Sequence, residues 1–170
     1  MAPDALPPCD ELEVVIFMGL QASGKSTFFR TRFASTHVHI SKDNFRNNKN
    51  PSRRQALLLE EALREGRSVV IDNTNPTVSD RLPLITPARA AGARIVGYYF
   101  QSRLEDCQRR NRLRTGKACV PDVALYGTRS KLQPPTYSEG FDQLFHVRMT
   151  DESEWDISAW IEERKDYEAP

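Results

Sequence analysis

The stretch "GLQASGKST" places Lys25 and the hydroxyls of Ser26 and Thr27 directly behind a glycine-bounded loop that starts at Gly19. It fits G-x-x-x-x-G-K-[S/T] in full and follows the apolar run Val14-Val15-Ile16-Phe17-Met18. Glycines let a backbone curl until its N–H groups converge on phosphate oxygens. A helix opening near Lys25 adds the positive end of its dipole. Gly19, Gln21, Ala22, Ser23, Gly24, Lys25, Ser26 and Thr27 are therefore candidates for gripping ATP. Lys25 would reach the β and γ phosphates, and Ser26 would offer its hydroxyl to Mg²⁺.

A phosphate grip does not say where the phosphoryl group goes, so the acceptor must be sought at the ends of the other strands. In open α/β sheets ligands gather at the carboxyl edge. After the second apolar segment the chain reads "SKDNFR", which brings Asp43 and Arg46 to that edge. A carboxylate there can take a proton from an attacking hydroxyl, and an arginine beside it can hold a phosphate. After the third segment "IDNTN" adds Asp72, able to position the acceptor, bond Arg46 or act through a water on the metal. Either aspartate alone also fits a helix cap or a turn.

A third group changes that balance. In "CQRRNRLRTGKACVP", Arg110 and Arg114 stand four residues apart on one face of the expected helix, ahead of a flexible "TGKA" segment. Such a face can swing over the phosphates and neutralise the charge that spreads over a transferring phosphoryl group. A solvated basic helix is the plain alternative, and the joint presence of all three groups favours the lid.

The elements that must hold these residues are legible in the apolar pattern. Val14 to Met18, Val38 to Ile40, Val69 to Ile71, Ile95 to Phe100 and Leu144 to Val147 read as strands. Each is separated from the next by a stretch long enough for a crossover helix, the mark of a mostly parallel α/β sheet. "PSRRQALLLEEALREG" opens on a proline and stops at Gly66, and "SRLEDCQRRNRLR" suggests a capping box from Ser102 to Glu105. "SEWDISAWIEERK" reads as a terminal amphipathic helix whose Trp155, Ile157 and Trp160 pack on the core. Phe28, Phe29 and Phe33 are expected in the core rather than at a cofactor.

At 170 residues the chain fits one domain, expected over residues 11–168, behind a proline-rich disordered tail over residues 1–10. No apolar stretch approaches the roughly 20 residues of a membrane span. The N-terminus lacks a basic, apolar signal core, so the expected location is cytoplasmic. Cys9, Cys107 and Cys119 show no metal-ligand spacing and read as reduced thiols. The net charge of +1 conceals two segments of +4, residues 42–54 and 103–117, offset by an acidic tail over residues 151–168. Two basic segments on a phosphate-handling chain favour an anionic partner.

Taken together, these residues resemble the kinase module of the 5′-polynucleotide kinase family, from about Glu13 to Phe145. "VVIDNTNPTVSDR" resembles the third-strand motif of the eukaryotic branch. "YGTRSKLQPPTYSEGFDQL" resembles its tyrosine-containing helix and P-T-x-x-E-G-F stretch, and "RRNRLRTGKACVP" resembles the lid of the phage branch. The resemblance implies a P-loop NTPase sheet of five strands, order 2-3-1-4-5, flanked by helices and closed by an arginine lid. It implies ATP and Mg²⁺ at Lys25 and Ser26, Asp43 as general base on a 5′-hydroxyl, and Arg46 near the terminal nucleotide's phosphate. It further implies Asp72 in support of the acceptor and Arg110 and Arg114 as lid arginines, with Arg114 on the donor phosphates.

Val120 and Val123 are open to two readings, contact with the terminal nucleoside or core packing. The implied partners are the 5′-hydroxyl ends of DNA or RNA, with a ligase or phosphatase as associates; no membrane is implied. No D-x-D-G-T/V phosphatase signature is present, so removal of 3′-phosphates is not expected. A P-loop kinase of a sugar, antibiotic or nucleotide sugar is the competing enzyme, and a non-catalytic nucleotide-binding module the competing class.

Overall fold

The computed structural model describes residues 11–150 and 154–162; the expected tail, Cys9 and the far end of the acidic segment lie outside the described residues. All five expected strands form. β1 (Glu13–Met18), β2 (Val38–Ile40), β3 (Val69–Ile71), β4 (Arg94–Phe100) and β5 (Gln143–Met149) lie parallel in the order β2-β3-β1-β4-β5. Central β1 is buried along its whole length, which is why it reads as an uninterrupted apolar run and not as an alternation. Helices α1 (Lys25–Arg32), α2 (Pro51–Arg64), α3 (Val78–Ala90), α4 (Leu104–Arg112) and α5 (Asp122–Lys131) fill the connections. Among the described residues no helix is long and apolar enough to cross a membrane.

The sheet has a sixth strand where a helix was expected. Trp155–Ala159 forms β6, antiparallel to β5, with Val147 opposite Ile157 and Met149 opposite Trp155. The sequence W-D-I-S-A alternates with a period of two, and Trp155 and Ile157 are half-buried while Asp156 and Ser158 are exposed. That pleat, together with a tryptophan and a β-branched isoleucine, overrides the looser helical spacing. The expectation that Trp155, Ile157 and Trp160 meet the core holds all the same.

The two faces of the sheet bury different partners. Val14, Ile16 and Met18 pack with Leu59 of α2 and Leu84 and Ile85 of α3. Val15 and Phe17 pack with Phe28, Phe29 and Phe33, which places all three phenylalanines in the core as expected. A smaller cluster of Leu20, Cys107 and Leu125 pins α4 and α5 beneath the phosphate loop.

The expected capping box of α4 does not form. Arg103 occupies the N-cap without a side-chain bond, while the Ser102 hydroxyl donates to Phe100 O (2.8 Å) and accepts from Leu20 N (2.9 Å). A buried loop N–H otherwise lacking an acceptor outcompetes a helix end that water can serve.

Two of the stretches that carry the family resemblance meet in one buried contact. Arg81 of α3 is fully enclosed and forms a two-armed pair with Glu139, at 2.8 and 3.1 Å, while also donating to Asn75 O and Gln133 O. Arg81 thereby fastens the segment after α5 and the loop after β3 to α3; residues of that loop line the cleft described below. Arg81→Ala leaves Glu139 buried without its partner. It is expected to lower unfolding stability by about 3–5 kcal/mol, read from the denaturant midpoint.

Candidate active site

The phosphate loop leaves the C-terminal end of β1 and is held open by its backbone. Ala22 (φ 62°) and Gly24 (φ 98°) both take left-handed conformations, unusual for an alanine. A Cβ at Gly24 would lie 2.6 Å from both Met149 of β5 and Trp155 of β6, so these two strands buttress the loop from behind. Lys25 is buried, and its ammonium donates to Gly19 O (3.0 Å), Leu20 O and Ser23 Oγ (3.2 Å). Burial pushes its pKa down to about 8, against the pull of the Asp72 carboxylate. A triphosphate would give this cation the anionic partner that carbonyl oxygens replace only in part. Gln21 donates to Thr128 Oγ1 (3.0 Å), tying the loop to α5, while Thr27 faces solvent.

At the end of β3, Asp72 is almost wholly enclosed. Its Oδ2 accepts from Ser26 Oγ (2.8 Å) and from His39 Nε2 (2.8 Å), and no bond to Arg46 forms. Because the Ser26 hydroxyl spends its proton on Asp72, its lone pairs stay free for a cation. The donor set is a hydroxyl and a carboxylate, both hard oxygens. Among the described residues no cluster of three His, Cys, Asp or Glu could hold a metal unaided. That is the chemistry of Mg²⁺ shared between one or two protein oxygens and substrate phosphates, so the residues fit the implied ion.

The opposite wall is built by the 3₁₀ turn Lys42–Phe45, capped by the Ser41 hydroxyl, which accepts from Asp43 N (3.3 Å). Lys42 N donates to Asn73 Oδ1 (2.9 Å), which registers this turn on the end of β3. Asp43 is exposed and pairs with Arg46 at 3.3 Å, and Arg46 also donates to Lys117 O in the lid. Lys25, Ser26, Asp43, Arg46, Asp72 and Arg114 all border a single cleft of about 470 Å³. It is large enough for the reacting parts of two substrates.

The lid itself is an excursion clamped at its base. Asn111, buried, donates to Val120 O (2.6 Å) and accepts from Val120 N (3.0 Å), closing the loop between them. Arg114 donates to Ala118 O (3.2 Å) from within that loop.

Against this geometry stand the sequence relatives. Residues 14–135 match the family model described as an AAA domain. The chain belongs to this P-loop kinase family. The P-loop kinase is 30% identical over 138 residues to "Bifunctional polynucleotide phosphatase/kinase" of Schizosaccharomyces pombe, covering 79% of this chain and 33% of that one. A "Putative bifunctional polynucleotide phosphatase/kinase" of Acanthamoeba polyphaga mimivirus is 29% identical over 157 residues, 84% of this chain and 36% of the relative. The chain thus spans about a third of the length of these curated relatives. Among solved structures, a gluconokinase from Sinorhizobium meliloti 1021 superposes with a TM-score of 0.57 at 21% identity, over 80% of this chain and 82% of that one. That likeness establishes the shared fold.

Within this P-loop kinase the expected lid arginines separate. Helix α4 stops at Arg112, so Arg114 lies beyond it rather than on one face with Arg110. Gly116 (φ 61°) lets the chain double back, and Arg114 reaches the main cleft. Arg110 stays on the helix and borders a second, smaller cleft of about 210 Å³ with Arg103 and Arg148. Val120 both lines the main cleft and packs under the lid, whereas Val123 is 73% exposed and outside the cleft wall. His39 was not among the expected site residues. A lone histidine in a three-residue strand carries no local sign that it meets a carboxylate 33 positions away.

Proposed function

We propose that this P-loop kinase transfers the γ-phosphoryl group of ATP to the 5′-hydroxyl end of DNA or RNA. The observation that carries the reading is that Asp43, Arg46, Lys25, Ser26 and Arg114 line one cleft. The curated relatives, named as polynucleotide phosphatase/kinases, favour a nucleic-acid end as acceptor. The basic segment 42–54, which includes Arg46, suits a strand approaching from that side.

On this reading Asp43 accepts the proton of the 5′-hydroxyl as its oxygen attacks phosphorus in line. Arg46 turns from Lys117 O to the phosphate of the terminal nucleotide and fixes that hydroxyl at attack distance. Lys25 and Arg114 neutralise charge building on the transferring group, and the phosphate loop's N–H groups hold the leaving diphosphate. Ser26 and Asp72 would hold Mg²⁺, which supplies further charge neutralisation at the β and γ phosphates when bound.

The test is transfer of labelled γ-phosphate to short single-stranded oligonucleotides. Labelling is expected of 5′-hydroxyl strands and absent from their 5′-phosphorylated copies. Acceptor affinity should fall with salt, with a slope of about −0.7 per phosphate contact. Labelling of a sugar acid or polyol in place of both strands would transfer the assignment to a small-molecule kinase on the same fold.

A further inference from the structure

His39 lies behind the cleft wall, bonded to Asp72, and the proposed reaction gives it no task. It sits at the middle of β2, the edge strand, one residue before Ile40 and four before Asp43. Its ring lies flat on Phe29 of α1, with centroids 4.1 Å apart and planes 20° from parallel. Phe29 in turn belongs to the buried cluster on the Val15 and Phe17 face of the sheet. The ring is thus held by packing while its Nε2 is 2.8 Å from Asp72 Oδ2, the same oxygen that receives the Ser26 hydroxyl.

Two donors on one carboxylate oxygen define the plane of the carboxyl group. A carboxylate accepts on two oxygens, and one donor alone does not fix the plane in which they lie. With Ser26 and His39 both on Oδ2, Oδ1 is left with its lone pairs unclaimed among the described hydrogen bonds. The Ser26 hydroxyl is at the same time fixed proton-inward. Loss of the His39 donor would leave Asp72 to follow Ser26, and neither oxygen ligand would keep its direction toward the cleft.

We propose that His39 is a positioning residue for the metal-bound nucleotide: its Nε2–H orients Asp72, and through Asp72 the Ser26 hydroxyl, for the cation that accompanies the triphosphate. This rests on the nucleotide-binding half of the proposed function and not on the identity of the acceptor. Partners in the outer shell of a metal site typically tune its affinity by about 10–100-fold.

Two variants separate the hydrogen bond from the packing. His39→Phe keeps a ring on Phe29 and removes the donor; His39→Gln keeps an N–H donor at a similar reach and removes the ring. ATP binding is measured by calorimetry for the whole chain, without Mg²⁺ and across a Mg²⁺ titration. The expected result is that His39→Phe raises the Mg²⁺ concentration needed for half of the metal-dependent gain in ATP affinity by about 10–100-fold. Its metal-free ATP affinity should be unchanged, and His39→Gln should lie within threefold of the natural protein.

An unchanged Mg²⁺ requirement in His39→Phe would overturn the inference, and equal shifts in both variants would reduce His39 to a packing residue. His39→Leu, which also lacks a donor, must repeat the phenylalanine result, and it replaces that variant if the latter fails to fold. Binding of ATP without transfer to any oligonucleotide would remove the polynucleotide acceptor but leave this proposal standing. Absence of ATP binding by the natural protein would overturn both.

Discussion

Arg114→Ala is expected to slow phosphoryl transfer by about 10³–10⁵-fold while the protein melts as before and still binds ATP. Transition-state charge in such reactions spreads over the equatorial oxygens of the transferring group, and a guanidinium that reaches them late in the cycle stabilises that state above the ground state. Arg114 has the required placement: in the lining of the cleft, on a loop whose base is clamped by Asn111 and Val120. Its present bond is to Ala118 O within the same loop, a partner it can exchange for a phosphate without unfolding anything. Arg114→Lys keeps the charge but loses the fork, so it should recover only part of the rate. The measurement is single-turnover transfer beside equilibrium ATP binding. A rate within threefold of the natural enzyme would remove Arg114 from the reaction. The parallel variant Arg110→Ala distinguishes the two lid arginines, because Arg110 borders the smaller cleft and should act on ATP affinity more than on the rate.

That separation of Arg110 from Arg114 shows where sequence reading stops. The phosphate loop, the five parallel strands and the core role of Phe28, Phe29 and Phe33 were legible, because each depends on a local pattern: a glycine spacing, a buried apolar run, a helical period. The two arginines were placed on one helix because the basic run shows no break before Gly116. The helix ends earlier, at Arg112, because tertiary bonds from Asn111 to Val120 take over. Ser102 carried the spacing of a helix cap, but a loop N–H distant in sequence claimed its hydroxyl. The segment at Trp155 fitted both a helical and a strand period, and only the free edge of β5 decides between them. The contacts between His39 and Asp72 and between Arg81 and Glu139 join residues 33 and 58 positions apart, and periodicity contains no information about such pairs.

Asp43→Ala is the second variant with a large expected effect: a loss of about 10²–10⁴-fold in transfer, the usual contribution of a positioned general base. The structure separates this loss from any failure of the fold. The Asp43 side chain is 74% exposed and, among the described residues, its one ion pair is with Arg46, itself partly exposed, so no core contact depends on it. ATP affinity should hold, because Asp43 lies on the wall opposite the phosphate loop. Removing the carboxylate also frees Arg46, which should grip an acceptor phosphate at least as tightly as before. The acceptor KM is therefore expected to stay level or fall while kcat collapses. Arg46→Ala should do the reverse, raising the acceptor KM with a smaller change in kcat, and should lose the bond that holds Lys117 O. If instead both variants raise KM alike, Asp43 only orients Arg46, and the proton of the acceptor hydroxyl must leave by way of the phosphoryl oxygens or water. A fall of kcat in Asp43→Asn as deep as in Asp43→Ala, with the acceptor KM level, would decide for the base, because the amide oxygen can still accept from Arg46 while the charge and the proton affinity are gone.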